Sequence, residues 1–232
     1  MSGKLDKSRE KIESMFDEIA PAYDRLNHLF TLNIDKKWRK NIVKYLSLRK
    51  KDFKTILDLA SGTGDLSIEL LNLNPEKIIA ADISEKMLEI QKIKANNSKI
   101  HLSQCEAQYL PFEDNCFDLV TIGFGVRNFS NLEDSLKEIN RVLKKDGSLV
   151  VLEMFKAGGI KTSLFNFYFG KIMPVIGNKI SKSNAYSYLF NSVDNFYNVK
   201  EFEGICIRNG FKVEYSMDNF LGIVNTIYFL KN

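Results

Sequence analysis

The chain has 232 residues, of which 44% are hydrophobic and 27% charged, and its formal net charge at pH 7 is +4. This composition is ordinary for a folded protein and far from that of a disordered segment. The small net charge gives no argument for a nucleic-acid partner, so none is predicted. The three cysteines have irregular spacing and form no Cys-x-x-Cys pair, so we expect neither a zinc nor a redox site and no bound metal.

The length favours one domain spanning residues 1–232. Residues 1–14 are dense in charge, and no apolar run approaches the 18 residues of a membrane span. The sequence therefore predicts a cytoplasmic protein, either soluble or peripheral at the inner face of a membrane.

The first part of the chain predicts helices, over residues 1–50. Its apolar residues recur at helical spacing from Ile12 to Phe30, and Pro21 is expected to end one helix and begin another.

A pattern of short β-rich runs alternating with helical stretches begins at Thr55. The runs are Thr55–Ala60, Lys77–Asp82, Lys99–Ser103, Phe117–Gly123 and Gly147–Met154. This alternation predicts a parallel sheet with right-handed crossovers. Residues 156–195, interrupted by glycines and rich in aromatic side chains, are predicted to form a helical cap insertion. Phe211–Ser216 and Gly222–Leu230 then complete seven strands as an antiparallel pair at the sheet edge.

A basic segment lies between Lys36 and Lys54, where nine lysines and arginines stand against one acid, Asp52. Two interpretations stay open. The segment is either a solvated helix face, which we favour, or a surface attracted to an anionic membrane.

The first predicted strand runs through Asp58 into a turn that contains Gly62, Thr63 and Gly64. Glycines allow a sharp turn and a close approach of backbone N–H groups to a ligand. A dinucleotide site would want a third glycine where this chain has Ser67, which disfavours NAD. The turn therefore predicts a nucleoside site, although a plain strand-to-helix turn would have the same glycines.

Two further loops should converge on the same ligand. Asp82 ends the second strand, followed by Ile83 and by Ser84 as a candidate helix N-cap. A carboxylate there can accept hydrogen bonds from ribose hydroxyls, although it could also serve only as a helix-capping acid. Glu106 and Ala107 follow the third strand and should reach the adenine edge.

With these loops, the chain resembles the ubiquinone/menaquinone biosynthesis C-methyltransferases, nearly end to end. The motifs that carry the resemblance are Asp58–Asp65, Tyr23–Asn27 with Trp38, Leu110–Asp118, Phe124–Phe129, Arg141–Glu153 and Ala185–Leu189. The Phe-Gly-Val-Arg-Asn block is the most specific of them. The chain departs from the family pattern in having Gly123 for Ser and Glu106 for Asn or Asp.

The resemblance implies a class I S-adenosylmethionine-dependent methyltransferase with a seven-stranded, mostly parallel, Rossmann-like sheet. It implies S-adenosylmethionine as cofactor, with Gly123 in its pocket, and a prenylated quinol as substrate, either demethylmenaquinol or the benzoquinol precursor of ubiquinone. It further implies that Tyr23, Asp24 and Tyr186 line the substrate site. The sequence leaves the oligomeric state open, a dimer included.

Methylation of carbon requires electron density there, which a quinol gains when a ring hydroxyl ionises. We expect Arg127 to favour that anion and Asn128 to orient the oxygen or a water, although a salt bridge at a strand end would also account for Arg127. The alternatives are a methyltransferase for another substrate and a non-catalytic nucleotide-binding module. No Asn/Asp-Pro-Pro-aromatic turn follows the fourth strand, which argues against methylation of nucleobase amines.

Overall fold

The computed structural model describes residues 6–49, 51–156 and 185–232. Its helices are α1 (Arg9–Phe30), α2 (Ile34–Ser47), α3 (Asp65–Leu70), α4 (Glu85–Ala95), α5 (Leu132–Val142), α6 (Ala185–Asp194) and α7 (Val199–Arg208). Its strands are β1 (Thr55–Leu59), β2 (Lys77–Asp82), β3 (Ile100–Gln104), β4 (Phe117–Gly123), β5 (Leu143–Met154), β6 (Phe211–Phe220) and β7 (Val224–Lys231). Short 3-10 turns cover Leu71–Leu73 and Val126–Asn128.

The strands form one seven-stranded sheet in the order β3-β2-β1-β4-β5-β7-β6. The first five strands are parallel to one another, and β7 is antiparallel to both β5 and β6. This confirms the predicted Rossmann-like sheet and the antiparallel pair at its edge. The order reverses between β1 and β4, and ligands of open α/β sheets bind beyond the carboxyl ends of the strands at such a point.

Both faces of the sheet are buried. Neighbouring residues of each central strand point to opposite sides, and both sides pack into apolar clusters. Leu57 and Val120 face one apolar cluster, together with the helices α5 and α7. Ile56 and Leu119 face a second cluster that contains Trp38 of α2. The unbroken apolar runs of β1, β2 and β4 follow from this burial on both sides.

One prediction about the helices is wrong. Pro21 does not separate two helices but lies inside α1, which is continuous over 22 residues. Proline removes one backbone donor from a helix. Packing on both sides of it offsets this cost, because Ile19 and Ala20 pack with Met87 before the proline and Leu26 is buried after it.

The predicted cap insertion over 156–195 falls largely outside the described residues, which resume with α6 at Ala185. The aromatic stretch from Phe165 to Phe169 lies in the part that is not described. Among the helices that are described, none is both long enough and apolar enough to cross a bilayer.

Candidate active site

A cleft of about 740 Å³, counted out to its open mouth, lies at the carboxyl edge of the sheet between α1 and the loops after β1, β2, β3 and β4. Eight of the predicted site residues line it: Tyr23, Gly62, Asp82, Ile83, Glu106, Ala107, Gly123 and Asn128. Five others lie next to it without lining it: Asp24, Asp58, Thr63, Gly64 and Arg127. The cleft has the position expected for a cofactor, beyond the carboxyl ends of the parallel strands.

The turn after β1 has the left-handed backbone for which glycine is suited. Gly62 has φ +56° and Gly64 has φ +89°. A Cβ on Gly62 would have 3.9 Å to its nearest neighbour, whereas a Cβ on Gly64 would lie 2.5 Å from Cγ of Gln91. Gly62 is therefore the glycine that faces the cleft, and Gly64 allows α4 to pack closely.

Beneath this turn, Asp58 is the centre of a buried hydrogen-bond network. Ser67 Oγ donates to its carboxylate at 2.5 Å, and Thr121 Oγ1 donates at 2.8 Å. Burial raises the pKa of Asp58 to about 6, against the opposing effect of these two hydrogen bonds. Asp58 thus supports the glycine turn from below.

Gln91 of α4 extends this network to the turn. Its amide nitrogen donates to Ser67 Oγ at 2.9 Å, and its amide oxygen accepts from Ser61 Oγ at 2.8 Å. The serine that replaces the third glycine of a dinucleotide motif is therefore a structural link between β1 and α4. No sequence motif pointed to Gln91, because its partners lie 24 and 30 residues earlier in the chain.

Asp82 holds two loops together at the floor of the cleft. One carboxylate oxygen accepts from the backbone N–H of Gly62 at 2.8 Å, and the other accepts from that of Ser84 at 2.9 Å. Burial raises the pKa of Asp82. Ser84 Oγ accepts from the backbone N–H of Met87, as expected of the N-cap of α4. Because each carboxylate oxygen has a second lone pair, Asp82 keeps the capacity to accept from ribose hydroxyls.

Helix α1 covers the cleft and is fixed by four polar side chains to the loops after β1 and β2 and to the end of β3 with its loop. Asp24 accepts a hydrogen bond from Thr63, and Asp17 accepts one of 2.6 Å from Ser84. Glu13 and Arg9, one and two turns earlier, contact Gln104 at 3.2 Å and Glu106 at 3.3 Å. These contacts place Ile12, Phe16 and Tyr23 over the cleft. Burial raises the pKa of Tyr23.

Arg127 and Asn128 lie in the 3-10 turn after β4, and their surroundings differ. The Arg127 guanidinium contacts the carboxylate of Glu153, and it donates to Phe124 O at 2.9 Å and to Ser192 Oγ at 3.1 Å. Asn128 is 8% exposed and lines the cleft. Among the described residues, its Oδ1 has no hydrogen-bond partner. An unpaired buried acceptor is costly, so this amide oxygen indicates a place for a ligand donor.

Lys7 lines the cleft although sequence reasoning did not single it out. It precedes α1, and within the described residues it forms no ion pair. Burial lowers the pKa of Lys7, Arg127 lowers it further and Glu153 raises it. The lysine therefore belongs to the same end of the cleft as the Arg127 turn. Its position depends on the path of α1, which no local pattern predicts.

Tyr186 belongs to α6, but its side chain lies outside the described residues. Its role in the substrate site stays a prediction. Tyr188, two residues later, has a buried hydroxyl without a partner in the described parts of the chain. Burial raises its pKa, and the nearby Arg127 lowers it.

His28, Asp35 and Asp65 bring three potential metal-ligand atoms within 4.8 Å of one another. Arg39 occupies this cluster, since its Nη1 lies 2.6 Å from Asp35 and 3.5 Å from Asp65. The guanidinium supplies the positive charge that the two carboxylates require. The cluster therefore joins α1, α2 and α3 as an ion network.

Known proteins resemble this chain over most of its length. The model of the ubiE/COQ5 methyltransferase family matches residues 4–230. The ubiquinone/menaquinone biosynthesis C-methyltransferase UbiE of Geotalea uraniireducens is 41% identical, over 97% of both chains. The demethylmenaquinone methyltransferase of Bacteroides fragilis is 39% identical, over 88% of this chain and 86% of the relative.

The fold is also found among solved structures. A SAM-dependent methyltransferase from Aquifex aeolicus superposes with a TM-score of 0.61 at 18% identity, covering 83% of this chain and 89% of the other. The family model spans nearly the whole sequence, and the relatives exceed one third identity over most of their length. The chain therefore belongs to the ubiE/COQ5 methyltransferase family.

Proposed function

We propose that this chain transfers a methyl group from S-adenosylmethionine to a ring carbon of demethylmenaquinol. Membership of the ubiE/COQ5 family supports the proposal, as do relatives named for demethylmenaquinone and for ubiquinone/menaquinone biosynthesis. The benzoquinol precursor of ubiquinone is the second candidate substrate, because the first relative's name covers both pathways.

The cleft fits the proposed cofactor. Gly62 offers a surface without a side chain, Asp82 offers acceptors for a ribose diol, and Ile83, Glu106 and Ala107 line the adjoining wall. When bound, S-adenosylmethionine supplies an electrophilic methyl group. Gly123 also lines the cleft, and its lack of a side chain lets Leu66 pack closely, because a Cβ there would lie only 3.3 Å from the Leu66 side chain.

The part of the cleft formed by Lys7 and the turn after β4 fits the oxygen of a quinol. A ring hydroxyl can donate to the unpaired Asn128 Oδ1, and the Lys7 ammonium carries a positive charge into the same region. A cation in a partly dehydrated cleft stabilises a ring anion more strongly than it would in water. We assign Asn128 to orienting the hydroxyl and Lys7 to favouring its ionised form.

In this proposal, Arg127 acts on the substrate less directly than the sequence suggested. Its charge is balanced by Glu153, and its hydrogen bonds to Phe124 O and Ser192 Oγ fix the turn that presents Asn128. Arg127 also acts on Lys7, whose pKa burial lowers most; Arg127 lowers it further and Glu153 opposes this. Its role is therefore positioning and electrostatic support.

The single observation that carries the proposal is the unpaired Asn128 Oδ1 in the same cleft as Gly62 of the glycine turn. The test is a labelled methyl-transfer assay with chemically reduced demethylmenaquinol and, separately, the benzoquinol precursor. We expect label on the ring carbon of demethylmenaquinol. Transfer to the benzoquinol alone would change the substrate, and cofactor binding without transfer to either would overturn the proposal in favour of another substrate or a non-catalytic module.

A prenylated quinol resides in lipid, so the enzyme must collect it at a membrane surface. We therefore include peripheral membrane contact in the proposed function. It can be tested by sedimentation of the protein with vesicles, with recovery in the supernatant under all lipid compositions as the contrary outcome.

A further inference from the structure

The turn between α1 and α2 exposes three apolar side chains. Leu32 is 74% exposed, Leu29 52% and Ile34 40%. Leu32 also has a left-handed backbone, with φ +52°. That conformation is uncommon for a bulky residue and would suit asparagine or glycine better. Neither burial nor backbone preference explains a leucine at this position. Contact of its exposed side chain with another molecule would explain it.

The turn between β6 and β7 repeats this feature. Leu221 is 44% exposed with φ +51°, and Phe220 before it is 41% exposed. Phe220 pairs with Val224, which itself pairs with Met154 at the carboxyl end of β5. The hairpin tip therefore lies at the carboxyl edge of the sheet.

The turn between α1 and α2 lies at the same edge. His28 Nε2 is 3.6 Å from the carboxylate of Asp65, the first residue of α3 after the β1 turn. Trp38, just beyond the turn, shares a buried cluster with Ile223 and Val224 at the start of β7. Both exposed leucines thus project from the edge that holds the cleft.

Lysines border these apolar tips. Lys36, Lys37 and Lys40 in the first turns of α2 are all exposed. Arg39 points inward instead, is 8% exposed and pairs with Asp35. The basic segment seen in the sequence therefore separates into a buried ion pair and an exposed lysine group at the cleft edge.

We propose that this edge is a membrane-docking face, formed by Leu29, Leu32, Ile34, Phe220 and Leu221 with Lys36, Lys37 and Lys40. Apolar tips that enter the interface and lysines that meet anionic headgroups are the two elements of peripheral membrane binding. The charge of the lysines commits the face to an anionic lipid surface. The inference rests on the proposed function only for the benefit of docking: this edge brings the cleft to the lipid layer that holds a prenylated quinol.

The test measures sedimentation with vesicles of phosphatidylcholine alone and with 30% phosphatidylglycerol. Two variants alter the face: L32N/L221N, which suits the left-handed positions, and K36Q/K37Q/K40Q. Their matched controls are I93N, an apolar residue 81% exposed on α4, and K77Q/K145Q/K212Q, exposed lysines at the opposite edge of the sheet.

We expect the unaltered protein to bind the anionic vesicles more tightly, and salt to weaken that binding. Binding should fall about tenfold for each leucine replaced and about fivefold for each lysine at low salt, with little change in the controls. Equal binding by the face variants and the controls would overturn the proposal. So would absence of binding, or self-association without vesicles that L32N/L221N removes, since the face would then join two copies of the chain.

Methyl transfer to a short-tailed, water-soluble quinol separates this inference from the proposed function. The face variants should keep that activity and lose it only towards a long-tailed quinol in vesicles. If the unaltered protein methylates neither quinol, the proposed function is contradicted. The docking face is still tested in that case, because vesicle binding is measured independently of turnover.

Discussion

The guanidinium of Arg127 contacts the carboxylate of Glu153, and the two side chains are 5% and 0% exposed. Breaking a buried ion pair by removing one partner is far more costly than removing both charges, because the remaining charge stays buried. We expect Arg127→Ala to lower the free energy of unfolding by about 3 to 5 kcal/mol. The double variant R127Q/E153Q should recover at least half of that loss.

Urea unfolding of the single and double variants checks this prediction. If R127A is no less stable than R127Q/E153Q, the pair is not the reason for the burial of Arg127. The comparison also matters for activity, since loss of turnover in R127A alone would not distinguish chemistry from folding.

Asn128 offers a cleaner test of the site, because its Oδ1 has no partner among the described residues. We expect Asn128→Ala to lower kcat by about 10²- to 10³-fold, the effect of removing one well-placed polar group. The affinity for S-adenosylmethionine should stay within about threefold, since we assign the cofactor to Asp82 and the glycine turn and not to Asn128. Calorimetric titration and steady-state rates separate the two effects, and a large fall in cofactor affinity would place Asn128 at the cofactor instead.

Lys7 predicts a pH dependence. Burial lowers its pKa, so its positive charge is lost at a lower pH than that of an ordinary lysine, near 10.4. If that charge favours the ring anion, kcat/KM falls as pH rises through the lowered pKa. In Lys7→Arg the fall in kcat/KM should occur at a higher pH, because a guanidinium stays charged beyond pH 12. Lys7→Gln should have a low kcat/KM at every pH. Identical alkaline limbs in all three proteins would exclude Lys7 from the reaction.

The two glycines of the turn should respond differently to alanine. Both have positive φ, which costs alanine about 1 to 2 kcal/mol. At Gly64 the new Cβ must also displace Gln91 from Ser61 and Ser67. We expect G64A to be about 1 to 2 kcal/mol less stable than G62A. The difference should vanish when Gln91→Ala is the common background, and its persistence there would exclude Gln91 as the cause.

Asp58 predicts a stability change with pH. Its pKa is about 6 in the folded chain and about 3.9 when unfolded. As pH rises from 4 to 6, the unfolded state therefore loses its proton first, and the free energy of unfolding falls. Asp58→Asn lacks this ionisation. Between pH 4 and pH 7, its free energy of unfolding should therefore rise relative to that of the unaltered protein by up to about 3 kcal/mol. Denaturant titrations at both pH values give the difference, and a constant gap between the two proteins would contradict the raised pKa.

Much of the sheet could be predicted from the sequence, because the strands are short apolar runs bounded by turn residues. Lys77–Asp82 and Phe117–Gly123 have the bounds that the sequence predicts. The strand expected at Gly147 begins at Leu143, since Leu143 pairs with Phe117 across an irregular register. Such a pairing depends on the partner strand and has no local signal. Family membership was also predicted correctly, because the Phe124–Phe129 block is distinctive.

Apart from Tyr23, which the family resemblance supplied, the predicted residues that line the cleft follow the ends of strands. Asp82, Glu106 and Gly123 follow from the topology of parallel strands, whose carboxyl ends meet at one edge. Lys7 and Gln91 do not, because helix packing brings them there from distant parts of the chain. The charge balance of Arg127 depends on Glu153, 26 residues later, which marked a motif in the sequence but had no assigned partner.

Strand β7 lies between β5 and β6, so β6 forms its backbone hydrogen bonds with β7 and not with β5. During synthesis, β6 must therefore leave the ribosome and wait as an unpaired segment until β7 follows it. Its buried Phe211, like Phe202 of α7, packs around Phe229 of that later strand. The first five strands can assemble while the chain is still being translated, but this side of the core closes only after Lys231 has emerged. Nascent chains arrested before β7 should therefore keep this side of the core open and be the preferred targets of chaperones and proteases.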